Sequence, residues 1–189
     1  SPIYFTITRP DLSYPVGVIS LFNAEAKCGA PSVCALNHVN VTNTKDRGLL
    51  YRHGIAKQLV GYTYGDWAGD ASDHLSTSGF IFSLGSMVVA WSTKKLPLLV
   101  LSSTEADTEE LPSQLAVAKD LRIELSTPIP IYCDNISSMQ LAKNPVFYAR
   151  TKHIKVNYHF VCEEVLSGEV KLRYIRTNGQ VPNIFTKPL

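Results

Sequence analysis

From Gln58 onward the apolar and polar positions fall into clear periods. Leu59, Gly61 and Thr63 lie on one face and Val60, Tyr62 and Tyr64 on the other, which predicts a strand. Gly79 to Leu84 and Met87 to Ser92 are two further strand-like runs, and the pair Gly85-Ser86 between them is a hairpin signal. The period then changes. Ser102-Ser103-Thr104-Glu105 supplies hydroxyl caps and an acid for a helix start, and Pro112 stands where a continuing helix would need an N–H. Ile129 to Cys133 is a short apolar run ending in Asp134-Asn135, after which Ser137 to Ala142 reads as a short helix. The clearest helix is Thr151 to Leu166, where Ile154, Tyr158, Val161 and Val165 share one face and Gly168 is suited to end it. A strand from Glu169 to Ile175 and a closing segment from Gln180 to Leu189 complete the order. An antiparallel start followed by parallel crossovers predicts an α/β chain, with helices on the faces of a mixed sheet.

Before Gln58 the pattern is irregular. The apolar stretch from Tyr4 to Phe22 is a candidate helix, but Pro10 and Pro15 interrupt it and the region reads as a fragment. With 189 residues, 45% of them hydrophobic, the chain can fill one domain and part of another. The division expected is 1–57 as a degenerate tail and 58–189 as the domain. A beginning at Ser1-Pro2, without Met, suggests a piece of a longer reading frame. Trp67 and Trp91 are most economically core residues.

The formal charge of +2 is too mild to argue for a nucleic-acid partner by itself. Its distribution changes the picture. Between Lys143 and Arg176 seven Lys and Arg stand against three acids, a surplus of four, and Lys143, Arg150, Lys152 and Lys155 are candidate phosphate contacts. A solvated helix face explains the same charges about equally well. Cys28, Cys34, Cys133 and Cys162 form no zinc-like spacing and no CxxC pair, and no secretory leader accompanies them. They read as reduced thiols of an intracellular protein, cytoplasmic or nuclear. The longest apolar run, Leu96 to Leu101, contains Pro97 and is far shorter than the roughly 20 residues of a membrane span. No membrane partner is expected.

Several runs are specific enough to carry a resemblance. They are Gly61-Tyr62 with Asp66-Trp67-Ala68-Gly69-Asp70, Ser76-Thr77-Ser78-Gly79, Leu101-Ser102-Ser103-Thr104-Glu105-Ala106 and Tyr132-Cys133-Asp134-Asn135. Asn144-Pro145-Val146-Phe147, Arg150-Thr151-Lys152-His153-Ile154 and Phe185-Thr186-Lys187-Pro188-Leu189 follow. In this order they resemble the RNase H part of copia-type retrotransposon Pol polyproteins. Thr8-Arg9-Pro10-Asp11 with Tyr14, and Gly48-Leu49-Leu50-Tyr51, are similar to the reverse-transcriptase tail that precedes it. The resemblance implies an RNase H-like fold, a mixed five-stranded sheet flanked by helices. It implies cleavage of the RNA strand of an RNA–DNA hybrid, with the rest of the Pol polyprotein as a further partner.

That reaction needs clustered acids. Two divalent cations about 4 Å apart activate water and stabilise the leaving oxygen, and Mg2+ (or Mn2+) prefers hard carboxylate ligands. By the resemblance, Glu105 and Asp134 match the acids on the first helix and at the end of the fourth strand, as catalytic residues and metal ligands. The first-strand acid falls at Tyr64 and the C-terminal acid at Asn183, so two ligands are replaced. A neutral phenol and a neutral amide remove about two formal negative charges. Asp66 is the alternative catalytic acid, either displaced by about 6.8 Å along the strand or correctly placed if the alignment slips by two. Without the surrounding match, an Asp-Asn pair at a strand end is more often a turn or helix start than a metal site. His153 and His159 read as surface or phosphate-contacting groups. Between Glu105 and Asp134 the chain is shorter than the family by roughly two helical turns, and Pro112 interrupts that helix. Two functions follow: a ribonuclease H module, impaired or inactive, or a non-catalytic remnant with at most weak nucleic-acid binding.

Overall fold

A computed structural model of the chain describes residues 6–24, 48–51, 58–67, 75–96, 115–117, 128–143 and 155–185. Five strands form one sheet in the order β3-β2-β1-β4-β5. They are β1 (Leu59–Asp66), β2 (Thr77–Leu84), β3 (Met87–Lys95), β4 (Ile129–Cys133) and β5 (Val170–Tyr174). The first three pair antiparallel, while β4 runs parallel to β1 and β5 parallel to β4. This is the mixed five-stranded sheet that the resemblance implies. The helices are α1 (Ser13–Ala24), α2 (Ile136–Lys143) and α3 (Lys155–Leu166). A helical turn is also described at 115–117. The helix start expected at Ser102, with Glu105 and Pro112, lies outside the described residues, as do 151–154 of the long helix. Among the described residues no helix is long and apolar enough to cross a membrane.

The period-two pattern of β1 divides the sheet into two faces. On the first, Leu59, Phe80, Phe82, Ile131 and Leu172 meet Leu115, Met139, Ala142 and Val161 in the core. Burying side chains of this size contributes about 1.5–3 kcal/mol each. Gly61 lies on this face because β1 passes directly beneath an aromatic ring. A Cβ there would sit 2.6 Å from Phe82 Cε1 and 3.2 Å from Ile131 Cγ1. The helices are ended by local chemistry. Asn135 Oδ1 accepts from Ser137 N and Ser138 N at 3.0 and 3.2 Å, which caps α2. Gly168, at φ +78°, closes α3, with its N–H on Val165 O.

The second face carries Val60, Tyr62 and Tyr64, and different segments cover it unevenly. At the β3 edge, Trp91 Nε1 donates to Thr6 O at 2.9 Å and α1 packs against the strand. A 3-10 segment, Val181–Phe185, packs over β2 and β1. Phe185 is fully buried, and Thr93 Oγ1 donates to its carbonyl at 3.2 Å. On β5 this face exposes Lys171 and Arg173, while on β4 Pro130 is buried and Tyr132 is half-buried.

Three expectations change here. Within the described residues 6–24, Pro10 and Pro15 are accommodated at helix starts. Pro10 opens a 3-10 turn and Pro15 sits in the first turn of α1, where an N–H would lack a helical acceptor. That turn is tied by Arg9, whose Nε and Nη2 donate to the two Asp11 carboxylate oxygens at 2.9 and 2.7 Å. Trp67 is not a core residue. It is 50% exposed, because β1 ends at Asp66 and the next residue turns away from the sheet. The hairpin strands are longer than their apolar runs, since Ser76, Thr77 and Ser78 are buried despite their hydroxyls. Cys133 and Cys162 are buried thiols not joined in a disulfide, while Cys28 and Cys34 lie outside the described residues.

Candidate functional site

Asp134 follows β4 directly, at the end of the sheet where α2 begins. Its Oδ2 accepts from Thr177 Oγ1 at 2.8 Å. Asn183 Nδ2 donates to the Thr177 carbonyl at 3.4 Å. Thr177 therefore bridges the end of β4 to the closing segment, and Asp134 and Asn183 come together around it. Tyr64 stands at the same level of the sheet. The parallel register pairs Gly61 with Ile131 and Tyr62 with Tyr132, so two residues further on Tyr64 is opposite Asp134. Tyr64 is 8% exposed and pairs on its other side with Gly79. A side chain at 79 would meet Phe185, with a Cβ only 3.0 Å from Phe185 Cβ. Glycine there lets the closing segment lie close to Tyr64. Gln180 fastens the same segment, with Nε2 donating to Thr63 O at 2.9 Å.

Asp66 is the last residue of β1 and pairs with Thr77. It lies about 6.8 Å beyond Tyr64 along the strand, past the level of Asp134. Glu105 lies outside the described residues. So do Arg150 and Lys152. Lys143 is exposed at the end of α2, and Lys155 opens α3 with a side chain that is not among those described. Sequence reasoning missed Thr177 and Gln180. Their only signal is position, a hydroxyl and an amide in the polar stretch after β5, and neither residue type marks a site unaided.

One row back from Tyr64 and Asp134, the Tyr62 and Tyr132 rings stack with centroids 5.1 Å apart. That distance is close to the spacing of adjacent strands, so the rings stand side by side above the sheet. Partial burial pushes the Tyr62 hydroxyl pKa up, with a smaller contribution from Tyr132. A groove of about 870 Å³ between α1 and β3, bounded by Thr6, Val16, Trp91 and Lys94, is lined by no carboxylate and lies toward the opposite edge of the sheet.

The described side chains that meet at Thr177 are the Asp134 carboxylate and the Asn183 amide. Among the described residues no group of three or more His, Cys, Asp or Glu could hold a metal ion. One Asp134 oxygen already accepts a hydroxyl hydrogen bond, which a bound cation would have to replace or share. These residues do not by themselves fit a two-cation site, which needs several converging carboxylates.

The strand order and the placement of Asp134 at the end of the fourth strand define an RNase H-like module. The chain superposes on LC11-RNase H1 with a TM-score of 0.55 at 10% identity, covering 69% of this chain and 93% of that one. It superposes on the foamy viral protease-reverse transcriptase, solved in complex with RNA/DNA hybrid, with a TM-score of 0.61 at 16% identity. That match covers 95% of this chain and 24% of the other. In sequence it is 37% identical over 193 residues to the retrovirus-related Pol polyprotein from transposon RE2 of Arabidopsis thaliana. The chain's relatives at 33–37% identity over nearly its full length are copia-type, retrovirus-related Pol polyproteins. The RE2 match covers 98% of this chain but only 13% of the polyprotein. No protein-family model matches the chain.

Proposed function

We propose that this chain is the ribonuclease H module of a copia-type polyprotein, with residues 1–57 the end of the reverse transcriptase and 58–189 the nuclease domain, and that its cleavage site is impaired. The supporting observation is the row at the end of the sheet. Where the reaction needs converging carboxylates, the register continued two residues past Tyr62 and Tyr132 sets Tyr64 level with Asp134, and Asn183 lies across Thr177. The substrate is the RNA strand of an RNA–DNA hybrid, and Mg2+ or Mn2+ would supply water activation and leaving-group stabilisation. Glu105 and Asp134 are the two acids that remain to hold a cation. So few carboxylates would leave two cations poorly neutralised, and the pair would not be held together.

A specific contact also favours the second reading, a non-catalytic module. Thr177 turns Asp134 into a structural acceptor that ties β4 to the loop after β5. Labelled RNA–DNA hybrid incubated with the chain in Mg2+ tests both. No cleavage is expected from the unaltered chain. Tyr64→Asp with Asn183→Asp should raise cleavage by about 100-fold or more, the scale of restoring one strong electrostatic stabiliser. Efficient Mg2+-dependent cleavage by the unaltered chain, abolished by Asp66→Asn, would overturn the impairment and make Asp66 the ligand. A folded double variant that stays inactive supports the non-catalytic reading.

A further inference from the structure

The solvent-facing part of the second sheet face holds a combination of residues that the cleavage reading does not use. Cross-strand pairing sets Tyr62, Tyr132 and Arg173 in one row across β1, β4 and β5, and Lys171 lies two residues before Arg173 on the same face. Lys171 and Arg173 are exposed, and neither has an ion-pair partner among the described residues. Charged side chains on an edge strand commonly serve only to block edge-to-edge pairing. That role requires no aromatic pair beside them. Here the Tyr132 ring has one face against Tyr62, and the row continues on β5 with the exposed Arg173.

We propose that this β4–β5 surface is a docking platform for single-stranded nucleic acid, with a base stacked on Tyr132 and neighbouring phosphates held by Lys171 and Arg173. The inference holds whether or not Asp134 takes part in cleavage. A ring face flanked by cations is what sequence-tolerant single-strand binders present, because every base has a π-face and every nucleotide a phosphate. A duplex cannot use it equally well, since its bases are already stacked and paired. Tyr132 is two residues from Asp134, about 6.8 Å along the strand. A single strand on this surface would therefore run to the end of the sheet where Asp134 and Thr177 meet.

Fluorescence anisotropy with a labelled oligothymidylate of about 16 nucleotides, titrated at several salt concentrations, tests the proposal. The chain should bind it more tightly than a duplex of the same length. Lys171→Ala with Arg173→Ala should weaken binding and reduce the salt slope by about 1.4, the loss of two phosphate contacts. Tyr132→Leu should weaken binding roughly 5- to 150-fold with the slope unchanged, the signature of lost stacking. If Tyr132→Leu does not fold, Lys171→Glu with Arg173→Glu at the two exposed positions still decides the question. Affinity and slope unchanged in either charge variant would overturn the platform. So would equal loss of binding to phosphatidylserine vesicles with no effect of Tyr132→Leu, which would mean a general polyanion surface.

Discussion

Placing carboxylates at 64 and 183 should make the stability of this chain depend on Mg2+, and the size of the effect follows from the row geometry. Side chains directly opposite on adjacent strands have Cβ atoms about 5 Å apart, so a new Asp at 64 places its charge roughly 6 Å from Asp134. At an effective dielectric of about 20 this repulsion is near 3 kcal/mol, and solvent screening at a partly exposed site brings it to about 1 kcal/mol. Asn183→Asp adds a second charge near the same carboxylate and replaces the amide donor to Thr177 O with an acceptor, for about another 1 kcal/mol. Loss of the buried Tyr64 ring would obscure this difference, so the proper reference is Tyr64→Asn, which has nearly the same shape as the Asp and no charge. In EDTA the double-acid variant should melt about 4–8 °C below Tyr64→Asn, given 2–4 °C per kcal/mol for a chain of this size. Mg2+ at about 100 times its Kd should return about 2.7 kcal/mol to the double-acid variant alone. Melting curves followed by circular dichroism, with Ca2+ as a non-catalytic control, measure both quantities. Equal melting temperatures of the two variants in EDTA would refute the row geometry. An equal Mg2+ shift in the unaltered chain would show that its own acids already hold the cation.

Gly61→Ala should destabilise the fold by about 1–3 kcal/mol through overpacking against Phe82. Gly17→Ala in α1, with nothing within 4 Å of the new methyl, should stabilise it by about 0.5–1 kcal/mol; denaturant melts of both check the pair. Thr177→Val should cost about 0.5–1.5 kcal/mol by removing the hydroxyl bond to Asp134, and Asp134→Asn combined with it should add little, a double-mutant cycle that isolates the contact. The Tyr62 hydroxyl titrates higher in the folded chain than in the unfolded one, so the stabilisation it contributes is intact below the usual tyrosine pKa of 10.0 and is lost as pH rises through the raised folded value. Tyr62→Phe should remove that part of the alkaline fall in melting temperature.

The strands that were most legible are those whose side chains alternate between core and solvent. In β1 Leu59, Gly61 and Thr63 face the core while Val60 and Tyr62 are half-buried; β4, buried at four of its five positions, is legible instead as a continuous apolar run. The ends of β2 and β3 were not legible because Ser76, Thr77 and Ser78 are buried by tertiary contacts, and a hydroxyl run carries no apolar signal for that. Trp67 misled for the reverse reason. Its size argues for the core, but only the end of β1 at Asp66 determines where it points. Thr177 belongs to the same class. Its role depends on a contact 43 residues away in sequence, which no local pattern encodes.

The register also bears on the choice between Tyr64 and Asp66 as the first-strand site position. A strand residue contributes to a shared site with β4 only if it stands level with the end of that strand. Starting from Tyr62 beside Tyr132, the residue level with Asp134 is Tyr64. Asp66 is level with position 136, which already belongs to α2 and has left the sheet. To bring the Asp66 carboxylate to Asp134, β1 would have to slip by two residues against β4. The same slip would break the fit of Gly61 under Phe82, since a Cβ brought there by any other residue lies 2.6 Å from the ring. It would also carry Tyr64 away from Gly79, the glycine over which Phe185 closes. A single alternative ligand thus requires rearranging the glycine contacts that hold β1 in place. In the register as it stands, Tyr64 and not Asp66 is the β1 residue level with Asp134.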